Sequence, residues 1–442
     1  MVLMTTPTVT PQFVKPKALN CPNCGAPVEL RGFAHTLNVV CPNCHSILDA
    51  STPEFTILQT FQRKERIEPQ IPLGTRGKFN GQPYQVIGFQ VREVDSEGSS
   101  YSWDEYLLFN PYYGFRYLTE YEGHWNFVRV LSALPVELNT MGKPAVEFQG
   151  RRYRHFDSLS ARTNYILGEF PWQVRVGDVV QDRDFVSPPY MLSAEATPGE
   201  ITWSLGEYTS GKQIWAAFQL PGSPPAYYGV FPNQPSPYEG KPAAFWSAWL
   251  WLNVALLAIA LFFTMSSADR EVFQNTYLFT QGAKTEAAFV TPDFELTGRP
   301  SNVEISIRTD LNNNWAYFNF ALINEDTGQD FDFGREVSYY RDSDGAEGKP
   351  NDSVIVPRVP SGRYYLRVEP EMEPRILQSM SYSLTIRRDV PSNAFFWIAG
   401  VLLLIPPVFI TFRASAFESA RWRESDYAPA VKSGSGGGGD DD

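Results

Sequence analysis

The sequence predicts a mainly β, multi-domain membrane protein. Three observations carry that expectation: one matched cluster of four cysteines, short alternating runs broken by turn residues, and two uncharged segments long enough to cross a bilayer. The architecture expected is a zinc ribbon, two small cytoplasmic β-barrel or sandwich domains, and two transmembrane helices enclosing an extracytoplasmic β-sandwich. At 442 residues and 43% hydrophobic, the chain can bury more than one core. Its net charge of -12, from 37 Lys+Arg against 49 Asp+Glu, argues against a basic nucleic-acid surface over most of the protein.

After a flexible N-terminus over residues 1–20, all four cysteines fall in residues 21–50, as Cys21, Cys24, Cys41 and Cys44. Each C-x2-C pair brings two sulfurs to one ion on a tight turn, with Gly25 and His45 following, so the set matches a tetrahedral four-sulfur zinc site. Four thiolates leave no open ligand position, which makes such a zinc structural. Two disulfides are the weighed alternative, disfavoured because the N-terminal residues lack the apolar region of a secretory signal. His45 is not needed as a ligand.

Residues 70–140 and 141–220 read as two β-domains, the second a divergent repeat of the first. KFNGQPYQVIGF near 78 and EFQGRRYRHFDS near 147 both set an x-F-x-G turn before a Tyr-led strand. No long stretch shows a helical apolar period. A Pro-rich linker at 221–242 leads to the first span, 243–265, whose 23 uncharged residues exceed the hydrocarbon thickness at about 1.5 Å each. Trp246, Trp249 and Trp251 sit near its start, as interfacial aromatics do. The second span, 394–412, is also uncharged and contains Pro406 and Pro407, which should kink it. Between the spans, residues 266–393 read as strands of one sandwich, and residues 413–442 as a disordered cytoplasmic tail ending in SGSGGGGDDD.

Lys and Arg flank the spans evenly, with Lys241, Arg413, Arg421, Arg423 and Lys432 on one side and Arg270, Lys284, Arg375, Arg387 and Arg388 on the other, so charge bias does not orient the helices. A reduced cysteine cluster and an unsignalled N-terminus place both termini in the cytoplasm of a two-span inner-membrane protein, with the lipid bilayer as its first partner.

Chemistry is sparse. GEYTSGKQ, Gly206 to Gln213, satisfies G-x4-G-K but has Gln where a phosphate loop needs Ser or Thr, and IWAAF behind it reads as a strand, so the motif is taken as a hairpin turn. Asp104 and Glu105 are adjacent in a strand and point to opposite faces. DSDG, with Asp342 and Asp344, resembles the opening of a calcium loop without its full register. Basic residues at Lys15, Lys17, Arg31 and Arg63 to Arg66 are too few to favour nucleic acid as a partner.

The CPNCG ribbon, LGTRGKFNGQPYQVIGF, SYSWDEYLLFNPYYGFRYL, and the two spans around SDGAEGKPNDSVIVPRVPSGRYYLRVEP together resemble a bacterial membrane protein of the domain of unknown function 4178 family, over about residues 21–412. That resemblance implies an adaptor within a membrane-associated system of other proteins and brings no catalytic residues. The expected function is a membrane-anchored, non-catalytic scaffold or sensor. Trp103, Tyr106 and Arg116 are its candidate interaction residues, although strand alternation must bury some of them. The alternative is an enzyme subunit with a site around Trp103, Asp104, Tyr106, Arg116 and Tyr121.

Overall fold

The computed structural model describes residues 17–32, 35–51, 55–60, 67–96, 99–138, 142–280, 288–341, 343, 345–373 and 379–428. The chain divides into two units, Met1–Pro242 with Ile410–Asp442, and Ala243–Phe409.

In the first unit, β1 (Lys17–Asn20) and β2 (Pro27–Leu30) form one hairpin, and β3 (Asn38–Val40), β4 (Ser46–Asp49) and β5 (Ile57–Thr60) a small antiparallel sheet. Eleven strands follow: β6 (Arg76–Phe79), β7 (Gln82–Ser96), β8 (Ser99–Asn110), β9 (Gly114–Tyr121), β10 (His124–Val130), β11 (Val136–Leu138), β12 (Ala145–Phe148), β13 (Arg151–Phe170), β14 (Val179–Ser187), β15 (Tyr190–Thr197) and β16 (Glu200–Thr209). Rather than two separate domains, the two halves build one barrel. Its eight strands run β7-β8-β9-β10-β16-β15-β14-β13, and β13 pairs back onto β7 to close it. Each half contributes four strands, and equivalent strands meet at both seams, β7 with β13 and β10 with β16.

The sequence repeat is visible in the structure. Asn80 (φ 48) and Gly81 (φ 80) turn β6 into β7, and Gln149 (φ 52) and Gly150 (φ 72) turn β12 into β13. Two successive positive φ values make the two-residue hairpin turn whose twist suits flanking strands. Phe79 and Phe148 before the turns, and Tyr84 and Tyr153 after them, are all buried.

A correction falls at residues 211–218. They form helix α1 (Gly211–Phe218), not a strand. Ser210 caps it, its Oγ accepting from the Gln213 backbone N–H while the Gln213 side chain accepts from the Ser210 N–H, a reciprocal capping box. Ile214 and Phe218, one turn apart, bury against Phe89, Tyr106, Leu118 and Trp125 on the outside of the barrel. Eight residues are too few to display a helical period in the sequence.

Helix α2 (Lys241–Ser266) opens the second unit's segment. Ten strands follow: β17 (Arg270–Thr280), β18 (Phe289–Val290), β19 (Phe294–Leu296), β20 (Ser301–Thr309), β21 (Asn314–Asn324), β22 (Asp330–Arg341), β23 (Ala346–Lys349), β24 (Asn351–Val359), β25 (Gly362–Met372) and β26 (Ser379–Arg388). They form a four-stranded sheet, β17-β26-β20-β24, and a six-stranded one built on β18-β25-β21-β22-β23. Alternate residues of both sheets, among them Ile305, Ile307, Leu384 and Ile386 from one and Phe318, Phe320, Leu366 and Val368 from the other, share a single core. This is a sandwich.

Helix α3 (Ala394–Leu402) and helix α4 (Ile405–Arg421) make up the second apolar stretch, interrupted at Leu403–Leu404 just before Pro406 and Pro407. Proline fits the first turn of a helix, where its missing N–H costs nothing, so the break falls ahead of the pair. Within the second unit Asn253 of α2 faces Gly400 of α3, and Phe263 lies 6.3 Å from Phe396 between ring centroids. The two helices are long and apolar enough to cross a membrane, at 26 and 28 residues. The helix also continues past residue 412 to Arg421. The stretch 413–428 is therefore ordered and not a disordered tail, because Phe417 and Arg421 supply one face that packs; residues 429–442 lie outside the described residues.

Candidate functional site

The cysteine cluster is built from two near-identical turns. Gly25 N–H donates to the Cys21 carbonyl at 2.8 Å and His45 N–H to that of Cys41 at 3.0 Å, while Cys21 N–H reaches Ala26 and Cys41 N–H reaches Ser46. Gly25 and His45 both adopt positive φ, at 74 and 55. Cys21 Sγ lies 3.7 Å from Cys44 Sγ and Cys24 Sγ 3.6 Å from Cys41 Sγ, and all four sulfurs fall within 4.8 Å of one another. Zinc–sulfur bonds of about 2.3 Å in a tetrahedron set sulfurs about 3.8 Å apart, so the donor set fits one ion. It does not fit disulfides, whose sulfurs sit about 2 Å apart; all four cysteines are free. The four cysteines can hold a metal ion. Val40 and Ile47 of the same segment pack with Ile87, Leu107, Phe109 and Ile166, and Glu169 of β13 accepts from the backbone N–H groups of Arg31 and Gly32 and from Thr36 Oγ1, so the ribbon is part of the barrel's fabric.

The second concentration of chemistry is inside the barrel. Arg92 of β7 lies 3.5 Å from Glu105 of β8, 3.9 Å from Asp182 of β14 and 3.4 Å from Glu195 of β15. Because β13 and β14 separate β7 from β15 around the wall, the contact to Glu195 must cross the interior. Gln90 Nε2 and Trp103 Nε1 both donate to Glu105, at 2.5 and 2.7 Å. The barrel is thus lined inside by charge, while Phe89, Val91, Tyr106 and Leu118 point outward beneath α1. Burial opposes charge on Arg92, but Glu105, Glu195 and Asp182 outweigh it and raise its pKa. Burial pushes the Asp182 carboxyl up to about 9, with Glu195 adding and Arg92 opposing, and pushes Asp157 up to about 8, with Asp184 adding.

One end of this interior is covered by two segments of the chain. The linker before α2 lies over it: His124 bonds Tyr208 OH through Nδ1 and the Tyr228 carbonyl through Nε2, and fully buried Asn233 donates to Asn126 Oδ1 at 2.7 Å. The end of α4 and the residues after it grip the same region. The Arg421 guanidinium, 2% exposed, donates to the carbonyls of Phe231 and Pro232 and to Glu418. Trp422 packs on Phe156 and beneath Arg154, Asp426 N–H donates to the Phe156 carbonyl, and Tyr427 OH meets His155 Nδ1 at 3.1 Å.

The predicted interaction residues scatter. Tyr106 is fully buried, its OH accepting from Gln70 N–H, so it is core and unavailable to a partner. Trp103 is half-buried and turned toward Glu105. Arg116 is half-buried and donates to the Phe115 carbonyl. Asp104 and Tyr106 lie on the face opposite Trp103 and Tyr121, so the five residues of the enzyme reading do not converge. Instead the β8–β9 register sets Asp104 beside Glu120, and burial with that neighbour pushes the Asp104 carboxyl up to about 7. Strand alternation separates Asp104 from Glu105, and only the strand register reveals Glu120 as its neighbour. The G-x4-G-K stretch has no phosphate cradle: β16 runs unbroken through Gly206 to Thr209, and the Gln213 N–H is taken by Ser210. Asp342 and Asp344 lie outside the described residues; nearby Asp352 pairs with Arg335 at 3.6 Å.

Residues 72–211 match a family described as a domain of unknown function (DUF4178), a span that coincides with the barrel and the first residue of α1. No curated protein matches the sequence. Among solved structures, infectious bursal disease virus of the Gt strain is 10% identical with a TM-score of 0.19, 72% of each chain being covered. The Gx strain is 12% identical with a TM-score of 0.18, covering 85% of this chain and 65% of that one. The mosquito-larvicidal Cry4Aa toxin from Bacillus thuringiensis is 8% identical with a TM-score of 0.13, covering 72% and 54%. Likenesses of this order carry no inference for this chain.

Proposed function

We propose that this protein is a membrane-anchored, non-catalytic scaffold or sensor in a bacterial inner membrane, with a zinc ribbon and barrel in the cytoplasm, two spans, and the sandwich outside. One observation carries the reading. The segments flanking both apolar helices are built into the barrel, Asn233 before the first and Arg421 after the second, so a displacement of either span would be felt where the barrel interior is covered. Zinc is the metal proposed for the four cysteines, in a structural role, since four thiolates fill its coordination. Other proteins of the same membrane system are the proposed partners.

The test is affinity purification of the full chain from detergent-solubilised membranes. A stable protein partner recovered in fixed proportion supports the scaffold; a retained small molecule with no protein partner counts against it. One observation favours the alternative, an enzyme subunit: an Asp104 carboxyl that titrates near neutrality beside Glu120 has the acid–base character catalytic sites use. Asp104→Asn separates the two readings, because it should leave partner recovery unchanged if the protein is a scaffold.

A further inference from the structure

Where the end of α4 and the residues after it meet the barrel they leave a cleft of about 310 Å³, lined by Lys143, Arg154, His155, Glu418, Ser419, Trp422 and Tyr427. We propose that this cleft binds a phosphate group carried by a small ligand, with Arg154 and Lys143 as its charge partners. This goes beyond the scaffold reading, which assigns no ligand to the protein.

The charges on its walls set the sign of the ligand. Arg154 lies 4.5 Å over the Trp422 ring and Lys143 Nζ 4.5 Å over the Tyr427 ring. Among the described residues no carboxylate comes within ion-pair distance of Arg154. Glu418, the carboxylate on the wall, is already matched by Arg421 at 3.0 and 3.2 Å. The Asp426 carboxylate sits on the His155 side, 3.9 Å from Nδ1, and is half exposed. His155 itself is fixed, with Tyr427 OH on one ring nitrogen and Ser158 Oγ on the other, and burial lowers its pKa so that it adds no charge at neutrality. Beside the Arg154 guanidinium and the Lys143 ammonium, the cleft offers the Ser419 hydroxyl between aromatic walls. A planar guanidinium fork beside a point-charge ammonium suits a phosphate with several oxygens, which takes two parallel bonds from Arg and a third contact from Lys.

The ligand's source follows from where the cleft lies on α4. Ser419 is about 10 Å along the helix from Phe412, the last apolar residue before Arg413, at about 1.5 Å per residue. If α4 crosses a membrane as proposed, that depth lies at or just beyond the headgroup layer, where basic pockets engage anionic lipids. A phosphomonoester headgroup and a soluble phosphate share the recognised chemistry, and the experiment distinguishes them.

Full-length protein in neutral detergent is titrated with dihexanoyl phosphatidic acid, dihexanoyl phosphatidylcholine and inorganic phosphate, following tryptophan emission and bound mass by native mass spectrometry. The expected result is 1:1 binding of phosphatidic acid, weakened at least tenfold by Arg154→Gln with Lys143→Gln and partly restored by Arg154→Lys. Phosphatidylcholine should not compete. Inorganic phosphate binding with the same dependence on the variants, and no gain from the acyl chains, would support the site and assign it a soluble ligand. Failure of every phosphate-bearing probe to bind the wild-type chain, or binding unchanged in the double variant, overturns the proposal. Should the double variant not fold, Ser419→Glu, an exposed position, must abolish binding instead. Membrane fractionation of the same preparation tests the anchoring separately, so the two ideas can fail independently.

Discussion

The spacing of Cys21, Cys24, Cys41 and Cys44 dictates the two turns that bring their sulfurs within 4.8 Å of one another. Reduced protein should carry one zinc per chain, and Cys21→Ser or Cys44→Ser should lose it and unfold the ribbon, since structural zinc contributes about 10–16 kcal/mol of apparent binding energy. Elemental analysis giving less than half an equivalent would exclude the site. Arg92 was not legible: nothing local distinguishes VREV from any exposed strand, and its three carboxylates come from 13 to 103 residues away in sequence. Arg92→Met leaves Glu105 and Glu195 without their counter-charge and should cost about 3–5 kcal/mol, read as a lowered midpoint in denaturant unfolding. Asp182 gives the interior a pH signature. Its folded pKa, about 9, lies above the unfolded value near 3.9, so the native state holds the extra proton. Its contribution is fully present below about pH 4 and is lost as pH rises toward 9, with a slope of at most about 1.4 kcal/mol per pH unit. Asp182→Asn should therefore flatten the decline in thermal stability between pH 6 and pH 9. An unchanged slope would show that Asp182 is ionised throughout.

Among elements, hairpins were the most readable and the short helix the least. NG and QG between alternating runs announce a turn through the conformation they require, whereas α1 declares itself only through Ser210, Gln213 and two buried residues one turn apart. The seam between the barrel halves offers a sharper test of element packing. Gly168 has φ 80, and a Cβ there would lie 2.2 Å from the Ile87 carbonyl oxygen; its partner Gly88 would place one 2.5 Å from the Glu169 carbonyl oxygen. Gly150 also has positive φ, 72, but opens onto empty space. Gly150→Ala should cost about 1 kcal/mol for the backbone conformation alone. Gly168→Ala must in addition push two backbones apart, and should cost at least about 3 kcal/mol, by the same scale as other overpacked sites. Chemical denaturation of the two variants side by side checks the ordering, and equal losses would mean the β7–β13 seam is not closed as described.

At the scale of the whole molecule, the β content and the order of segments followed from alternation and composition, but the union of two repeats into one barrel did not. The joins β7–β13 and β10–β16 are long-range pairings, and each half alone satisfies the same alternating pattern as a separate domain. The linker and the residues after α4 misled for a related reason: Pro-rich and charged stretches read as solvated, and only tertiary neighbours such as Phe156 and Asn126 turn them into packed segments. Basic residues flank both helices evenly, so charge bias favours neither orientation and thiol labelling reads it directly. The segment between the apolar helices contains no cysteine, so one introduced at exposed Ser343 reports on that segment alone. In the proposed topology a membrane-impermeant thiol reagent labels Ser343→Cys in intact cells, while the four native cysteines, held on the other side and bound to metal, stay unlabelled until lysis and chelation. Labelling of Ser343→Cys only after lysis would put the sandwich inside and reverse the orientation, and labelling of the native cysteines in intact cells would do the same from the opposite face.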